Sequence, residues 1–196
     1  DVILDNCLSE FERDSSIKGI AFNIKEFNTE THNRFEIPHK NKNINLDEDF
    51  NTYLMIGAGH ALDVKAVKEV GNYPDDFGLY GFEEIDLSFR LINAGYKIRY
   101  LCRCVILHKK SPDGRFSSAF VNKLAFVNRC KMAKRYFSIF NFIKCYLVRG
   151  AFFIIKNRNP KMFYMASREI FSDRKKMKFN RHFYDYIKSV DGFIGW

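Results

Sequence analysis

The sequence predicts an α/β fold from its composition and from two alternating patterns. Hydrophobic residues make up 46% of the 196 residues, enough for a packed core, and the charged share of 28% is ordinary for a folded chain. Alternating apolar residues predict strands, and apolar residues at three- and four-residue steps predict helices. The two patterns follow each other along the first half of the chain, an order typical of α/β proteins.

The first predicted elements are a helix, a strand and a long connection. Leu4, Leu8 and Phe11 recur at helical spacing near the start of the chain. Residues 17–25, IKGIAFNIK, alternate like a strand. Residues 26–51 are polar with little periodicity, which predicts a long loop or an irregular hairpin.

A second strand and a short helix are expected next. Residues 52–63, TYLMIGAGHALD, run apolar into two glycines, which predicts a strand that ends in a glycine turn. Residues 64–71, VKAVKEVG, predict a short helix that stops at Gly71. The stretch NYPDDFGLYG that follows is rich in turn-forming residues.

The next helix and strand contain the most informative stretch, YGFEEIDLSFRLINAGYKIRYL. Gly95 is expected to end the helix, and YKIRYLCRCVIL predicts a strand that leads to His108. The buried face of the helix is predicted from apolar residues at three- and four-residue steps, namely Phe82, Ile85, Phe89 and Ile92.

The second half of the chain is predicted to be helical and basic. Residues 1–96 contain 9 Lys and Arg against 18 Asp and Glu, whereas residues 97–196 contain 23 against 5. A helical pattern begins at residue 117 and is interrupted by Pro160. We therefore place a boundary near residue 116, with an α/β domain over 1–116 and a basic, aromatic-rich helical extension over 117–196.

Residues 136–155, YFSIFNFIKCYLVRGAFFII, are long enough to span a membrane. Asn141, Lys144 and Arg149 interrupt the stretch, and charges at mid-membrane are costly. An amphipathic helix lying in the membrane surface is therefore favoured over a span. A helix packed on its own domain is the other interpretation.

The cysteines predict a reducing compartment. The chain has five, and no C-x-x-C occurs, so a disulfide framework is not expected. Cys102 and Cys104 are two residues apart in a predicted strand. We interpret them as core residues, because two thiolates without further ligands make half a zinc site.

Three acidic residues crowd the start of the predicted helix: Glu83, Glu84 and Asp86. Acids at a helix N-terminus complement the helix dipole, and Asp86 can pair with Arg90 four residues on. One carboxylate would suffice for the dipole, and adjacent carboxylates repel. The alternative is that an ionised carboxylate after a glycine loop acts as a general base toward a hydroxyl substrate.

Residues 57–117, GAGHALDVKAVKEVGNYPDDFGLYGFEEIDLSFRLINAGYKIRYLCRCVILHKKSPDGRFS, resemble the second half of a family 2 glycosyltransferase domain. The shared pattern is a glycine-containing strand end, an acidic Glu-Glu-Ile-Asp-Leu motif and a strand that ends in histidine. Downstream, FVNRCKMAKRYF resembles the helix that follows the domain in rhamnosyl- and galactosyltransferase-like members, so the likeness covers residues 57–137. The resemblance implies a partial GT-A fold whose N-terminal, nucleotide-binding half is missing from this chain, which starts at Asp1.

The resemblance also implies residue roles on the acceptor side. Glu84 would be the general base, and Glu83 would bind acceptor hydroxyls or share the base role. Asp86 and Arg90 would brace the helix. Two glycines would let the backbone approach the sugar, although a plain tight turn explains them equally well: Gly57 and Gly59.

On the donor side, the resemblance implies a divalent metal, Mn²⁺ or Mg²⁺, that neutralises the departing diphosphate. His108 would be a metal ligand or contact the phosphates, and Asp1 would be the last residue of a D-x-D motif. A capping or buried neutral histidine is the other interpretation of His108. Three basic residues of the following loop would close over the diphosphate or simply be solvated: Lys109, Lys110 and Arg115.

The implied activity is inverting transfer of a sugar from a nucleotide-sugar donor to a glycan or lipid-linked acceptor, in cell-surface polysaccharide synthesis. The full-length parent would be active, and the chain alone would not. We expect a cytoplasmic protein at the inner face of the cell membrane, with an anionic membrane surface as a further partner. Two alternatives stay open, a membrane-associated module without catalysis and a nucleic-acid-binding module. The second is disfavoured by the acidic front half and by the absence of a recognised motif.

Overall fold

The fold comes from a computed structural model, which describes residues 2–41, 43–78, 81–110 and 116–194. It is mixed α/β, as predicted. The described elements, in chain order, are α1 Val2–Arg13, β1 Ile17–Glu26, β2 Phe50–Thr52, β3 His60–Leu62, α2 Val64–Glu69, α3 Glu83–Asn93, β4 Lys97–His108, α4 Ser118–Tyr136, α5 Ile139–Asn157, α6 Pro160–Ser172 and α7 Arg181–Ser189.

The described chain divides into two compact units. The sheet unit holds the described residues within 1–73, 84–112 and 180–193, and the helical unit holds those within 74–83, 113–179 and 194–196. The domain boundary near residue 116 remains a prediction. The two compact units do not divide the sequence at a single point, because residues 74–83 group with the helices and residues 180–193 group with the sheet.

The sheet unit is built on four strands in the order β2-β4-β1-β3. The two long central strands, β1 and β4, run parallel, and the three-residue strands β2 and β3 pair antiparallel at the edges. The strand expected to run from residue 52 into the glycine turn is wrong, because only Thr52 belongs to β2 and β3 begins after Gly59. Most of this apolar stretch is buried as irregular chain before β3, since Tyr53, Leu54 and Met55 are all under 8% exposed.

Helix α1, Val2–Arg13, forms where the helical spacing predicts it, but two of the three apolar residues at that spacing do not face the core. Leu4 and Leu8 are at least half exposed, whereas Cys7 and Glu10 are buried. Cys7 packs in the cluster formed with β1 and β4. Glu10 faces inward because three arginines surround it: Arg13, Arg99 and Arg103. Hydrophobic spacing alone could not anticipate a buried carboxylate with several cationic partners.

Helix α7 packs on the sheet through a tyrosine. Tyr186 donates from its hydroxyl to the backbone carbonyl of Thr52 at 2.9 Å, and it accepts from the backbone N–H of Ile98 at 3.2 Å. Burial raises the pKa of Tyr186 to about 12, so the hydroxyl keeps its proton to donate. The Asn180 side chain caps α7 and also donates to the backbone carbonyl of Asn93 at the end of α3.

The core of the helical unit lies among α4, α5 and α6. Each helix starts at a side-chain cap, on Ser117, Ser138 and Asn159 respectively. Phe126 of α4 stacks on Phe153 of α5 and on Phe163 of α6. The Sγ atoms of Cys130 and Cys145 are 3.8 Å apart inside this core, and all five cysteines of the chain are free thiols.

Candidate active site

The acidic helix α3 begins at Glu83, after a segment with an unusual backbone. Gly78 and Gly81 have φ values of 76° and 92°, and Phe82, which is not a glycine, has a φ of 77°. A phenylalanine at positive φ costs of the order of 1–3 kcal/mol and persists only where its surroundings enforce it. The chain therefore turns sharply just before the predicted catalytic acids, and these occupy the first turn of the helix.

Glu84 lies against Gly57 in the sheet unit. Gly57 is in a tight turn closed by the backbone N–H of Gly59, which donates to the carbonyl of Ile56 at 3.0 Å. A Cβ atom built on Gly57 would overlap Oε1 of Glu84 and would lie 3.1 Å from its Cδ. Any larger residue at position 57 would therefore displace the carboxylate. Gly57 and Glu84 are 27 positions apart in the sequence, were predicted to share one site, and are brought together by the fold.

Gly59 belongs to the same turn but has a different neighbour. A Cβ on Gly59 would overlap Cδ1 of Ile106 and would lie 3.2 Å from a ring carbon of Phe22. The close approach at Gly59 is therefore to side chains of β4 and β1 rather than to the acidic helix. His60 follows, and its ring Nε2 lies 2.7 Å from the hydroxyl of Tyr73. Sequence analysis did not single out this histidine, which begins β3.

Glu83 is the first residue of α3, and its carboxylate is only partly solvated. Its Oε2 atom is inaccessible to solvent and has no hydrogen-bond partner among the described residues. Buried polar atoms are rarely left without a partner, so this oxygen is suited to accept a hydrogen bond from a ligand or an ordered water molecule.

Asp86 and Arg90 form the predicted pair. Nε of Arg90 lies 2.7 Å from Oδ2 of Asp86, and the side chains are 12% and 2% exposed. The same guanidinium donates to the backbone carbonyls of Val70 and Asn72, which follow α2. Arg90 thus fastens α3 to the end of α2, and the buried Asp86 carboxylate holds the arginine in place.

His108 ends β4, where the sequence placed it, and pairs with a carboxylate that sequence analysis missed. Its Nδ1 lies 2.8 Å from Oε1 of Glu36, and Nζ of Lys110 lies 3.1 Å from the same oxygen. Lys110 also pairs with Glu26 at 3.2 Å, and Lys109 lies over the ring of Phe27. Both lysines therefore have partners in the sheet unit.

These residues do not form a metal site by themselves. His108 and Glu36 supply two ligand groups at most, and the ammonium of Lys110 competes for the carboxylate. Over the described ranges, no group of three or more His, Cys, Asp or Glu side chains is arranged to hold a metal ion. Asp1 and Arg115, which were assigned to the metal and the diphosphate, lie outside the described residues.

Helix α4 holds the segment that leads into α3, through residues that sequence analysis did not recognise. The Asn128 amide donates to the backbone carbonyls of Phe77 and Gly81, at 2.7 and 2.8 Å. Lys131 donates to the carbonyl of Asp76, and Arg135 pairs with the Asp76 carboxylate. All of these contacts lie within the helical unit. The sequence pattern that could have identified these residues is a row of polar side chains at three- and four-residue steps on a largely buried helix: Asn128, Lys131 and Arg135.

Helix α5 packs on the helical unit with one face and leaves an apolar face exposed. Phe142, Cys145 and Phe153 are buried. None of the described helices has the length and apolar character needed to cross a bilayer. The exposed large apolar residues of α5 are Ile139, Phe140, Ile143, Leu147, Val148, Phe152, Ile154 and Ile155.

Comparison with known proteins gives a short match and no family. No family model matches the chain. A stretch of 60 residues is 38% identical to an uncharacterized protein of Haemophilus influenzae, covering 31% of this chain and 32% of that protein. The chain thus spans about a third of this relative's length, and the relative's printed name carries no activity.

Proposed function

We propose that this chain is part of an inverting glycosyltransferase with a GT-A fold, and that Glu84 is its general base. The observation that carries the proposal is the Glu84 carboxylate in the first turn of α3, set against the Gly57 backbone. The glycosyltransferase-like order of motifs, from the glycine turn through the acidic helix to His108, supports it. The parallel pairing of β1 and β4 is compatible with this fold.

In the proposed reaction, the Glu84 carboxylate takes the proton of an acceptor hydroxyl. The hydroxyl oxygen then forms a bond to the anomeric carbon of the donor sugar. The bond between that carbon and the nucleoside diphosphate breaks, and the diphosphate leaves with the electron pair. Attack opposite the leaving group inverts the configuration. Glu83 offers its unpartnered Oε2 to a second acceptor hydroxyl, and Asp86 with Arg90 keeps α3 in place.

The donor side of the proposal depends on the resemblance. We propose that the nucleotide is held mainly by the N-terminal half of the catalytic domain in the full-length parent. The resemblance also implies a divalent metal, Mn²⁺ or Mg²⁺, which would neutralise the departing diphosphate, with His108 as a candidate ligand on this chain. His108, Lys109 and Lys110 are proposed to contact the diphosphate, which would compete with Glu36 and Glu26 for Lys110.

An anionic membrane surface is the proposed location of the acceptor. The exposed apolar face of α5 can enter the interface between headgroups and acyl chains, and the basic second half of the chain is attracted to anionic lipid. The acceptor would be a glycan or a lipid-linked saccharide of cell-surface polysaccharide synthesis. No described contact favours nucleic acid as a partner.

The test uses the full-length parent with a panel of nucleotide-sugar donors, in Mn²⁺ and in Mg²⁺. We expect one donor to be turned over by the wild type. Glu84→Gln should lower transfer by about 10²–10⁴-fold, the usual contribution of a general base, with nucleotide binding retained. Glu12→Gln, on the exposed side of α1, is the matched control and should be fully active.

Two results would contradict this proposal. If Glu84→Gln retains the wild-type rate while Glu83→Gln does not, the base is Glu83. If the wild type neither binds nor turns over any donor of the panel, transfer itself is refuted. In that case, vesicle binding without activity would support the non-catalytic membrane module.

A further inference from the structure

The helical unit contains a cavity of about 150 Å³ between α4 and α5. Its walls are aromatic, from Phe126, Phe152 and Phe153. Two arginines also line it, Arg129 from α4 and Arg149 from α5. Lys156 lines the cavity as well, with its ammonium over the Phe152 ring. No acidic residue is among the described lining side chains, so the three cations make the cavity positive.

The two arginines have no ionic partner among the described residues. Nε of Arg149 is inaccessible to solvent and donates to no acceptor within the described ranges. The Arg129 guanidinium lies 4.6 Å from the centre of the Phe82 ring, a cation–π contact that leaves its positive charge uncompensated. Burial, followed by the positive charge of Arg149, lowers the pKa of Arg129 to about 10.

Elsewhere in the helical unit, buried cations are neutralised. Arg135 pairs with Asp76 and Asp173, and Lys131 pairs with Glu169. Withdrawing a charge from water without a counter-charge is costly, so two half-buried arginines with no ionic partner among the described residues oppose folding. Charges of this kind are typical of sites that bind an anion, whose negative charge supplies the missing partner.

We propose that this cavity binds a phosphate group. A guanidinium matches the oxygens of a phosphate with two parallel hydrogen bonds, and two guanidiniums can share a tetrahedral dianion. Asn122 and Asn157 add amide groups to the lining. The cavity is small enough for a headgroup and too small for a whole nucleotide sugar. This inference does not depend on the proposed glycosyl transfer.

The surroundings are suited to a phosphate that carries an apolar substituent. Phe152 at the cavity is 58% exposed, and Ile155 three residues later is 73% exposed. A phosphate ester could therefore place its charge on the arginines and its chain along the exposed face of α5. The same chemistry is available from a lipid headgroup or from a free phosphate, so the test must separate the two sources.

The experiment measures binding to the 196-residue chain by titration calorimetry, with inorganic phosphate and with a short-chain, water-soluble phosphatidic acid. The variant is Arg149→Met, which removes the charge and keeps much of the apolar length. Arg168→Met on α6 is the matched control, because Arg168 is exposed and does not line the cavity. Vesicles of phosphatidylcholine with and without phosphatidic acid complete the series.

We expect Arg149→Met to weaken phosphate binding by about tenfold or more, the factor for losing a charge-assisted hydrogen bond, while Arg168→Met leaves it unchanged. The ligand-free variant should melt at the same temperature as the wild type or higher, because a like-charge contact is removed. A purely structural arginine would instead lower the melting temperature. Arg149→Lys should bind with intermediate affinity, since it keeps the charge and loses the fork.

Both sources of phosphate would support the site if Arg149→Met weakens them. Equal affinity for inorganic phosphate and phosphatidic acid assigns the site to a free phosphate group, and preference for the lipid assigns it to a headgroup. The proposal is overturned if neither probe binds the wild type. It is equally overturned if Arg168→Met weakens binding as much as Arg149→Met, since the attraction would then be a general effect of charge.

Discussion

Replacing Gly57 with alanine should separate the position of the Glu84 carboxylate from the stability of the protein. The added Cβ would overlap Oε1 of Glu84 and lie 3.1 Å from its Cδ, so the carboxylate must move. The obstructing atoms are the far end of a flexible side chain, which can adopt another rotamer at about 0.5–1.5 kcal/mol. Gly57 is not among the residues with positive φ, so alanine fits its backbone. By restricting the unfolded chain, the alanine should raise the free energy of unfolding by about 0.4–1 kcal/mol. The two effects nearly cancel.

The effect on catalysis should be much larger. A displacement of about 1 Å at a reacting group costs about 10²-fold in rate. This corresponds to about 2.7 kcal/mol of transition-state stabilisation. On the proposed function, we therefore expect Gly57→Ala to lower kcat of the full-length parent about a hundredfold, with little change in the melting temperature. The assay is transfer from the preferred donor, together with urea unfolding of each variant.

Two variants make the result decisive. Gly19→Ala is the control, because its Cβ would meet Sδ of Met55 at 3.0 Å and no carboxylate. It should cost stability rather than catalytic rate. The double variant Gly57→Ala/Glu84→Gln should be no slower than Glu84→Gln alone, since both changes act through one carboxylate. Unchanged kcat in Gly57→Ala, or fully additive losses in the double variant, would refute the reasoning.

Three further predictions concern the surroundings of the site. Arg90→Met should lower the free energy of unfolding in urea by about 3 kcal/mol or more, because the buried Asp86 carboxylate loses its guanidinium partner. Lys97→Met, which breaks the more exposed pair with Asp14, should lower it by about 1 kcal/mol or less. Equal losses would contradict the bracing role of Arg90. Burial opposes ionisation of Asp76, yet Arg135 and Lys175 hold the pKa of its carboxyl below the ordinary value. The carboxylate therefore stabilises the fold fully above about pH 3.9, and this stabilisation is lost as the pH falls through the lower folded-state pKa. Asp76→Asn should reduce the loss of unfolding free energy at acid pH, and an unchanged pH dependence would refute the assignment. Phe140→Glu on α5 should reduce co-sedimentation with phosphatidylglycerol vesicles about tenfold, because an apolar side chain that is 73% exposed becomes charged. Phe35→Glu, at an exposed position of the sheet unit, should leave vesicle binding unchanged. Equal effects would refute the proposal that α5 binds the membrane surface.

Local patterns predicted much of the secondary structure. The periodicity of residues 17–25 and of YKIRYLCRCVIL predicted the strands that became β1 and β4, because both are long enough for their apolar pattern to be unambiguous. Gly71 and Gly95, with φ values of 91° and 96°, end helices α2 and α3 where expected. The Asp86–Arg90 pair was predictable for the same reason, since helical spacing alone brings the two side chains together.

Features that depend on distant partners could not be read in this way. The inward face of α1 is set by Glu10, whose arginine partners lie mostly in β4, about 90 residues away. Glu36 falls in a polar stretch without periodicity, and only the fold brings it to His108. Likewise, the hydrogen bond from Asn128 to Phe77 and the ion pair between Arg135 and Asp76 form only because α4 packs beside those residues.

The sequence by itself determined the α/β order, the acidic start of α3 and the strand that ends at His108, because these depend on neighbours within one or two helical turns. Only the tertiary structure decided which partners each charge has. It set the Glu84 carboxylate against Gly57, paired Lys110 with Glu26 and Glu36, and gave Arg129 and Arg149 a shared cavity with no ionic partner in the described part of the chain. The physical reason is that the energy of a charge depends on burial and on the groups within a few ångströms, and chain folding alone fixes both.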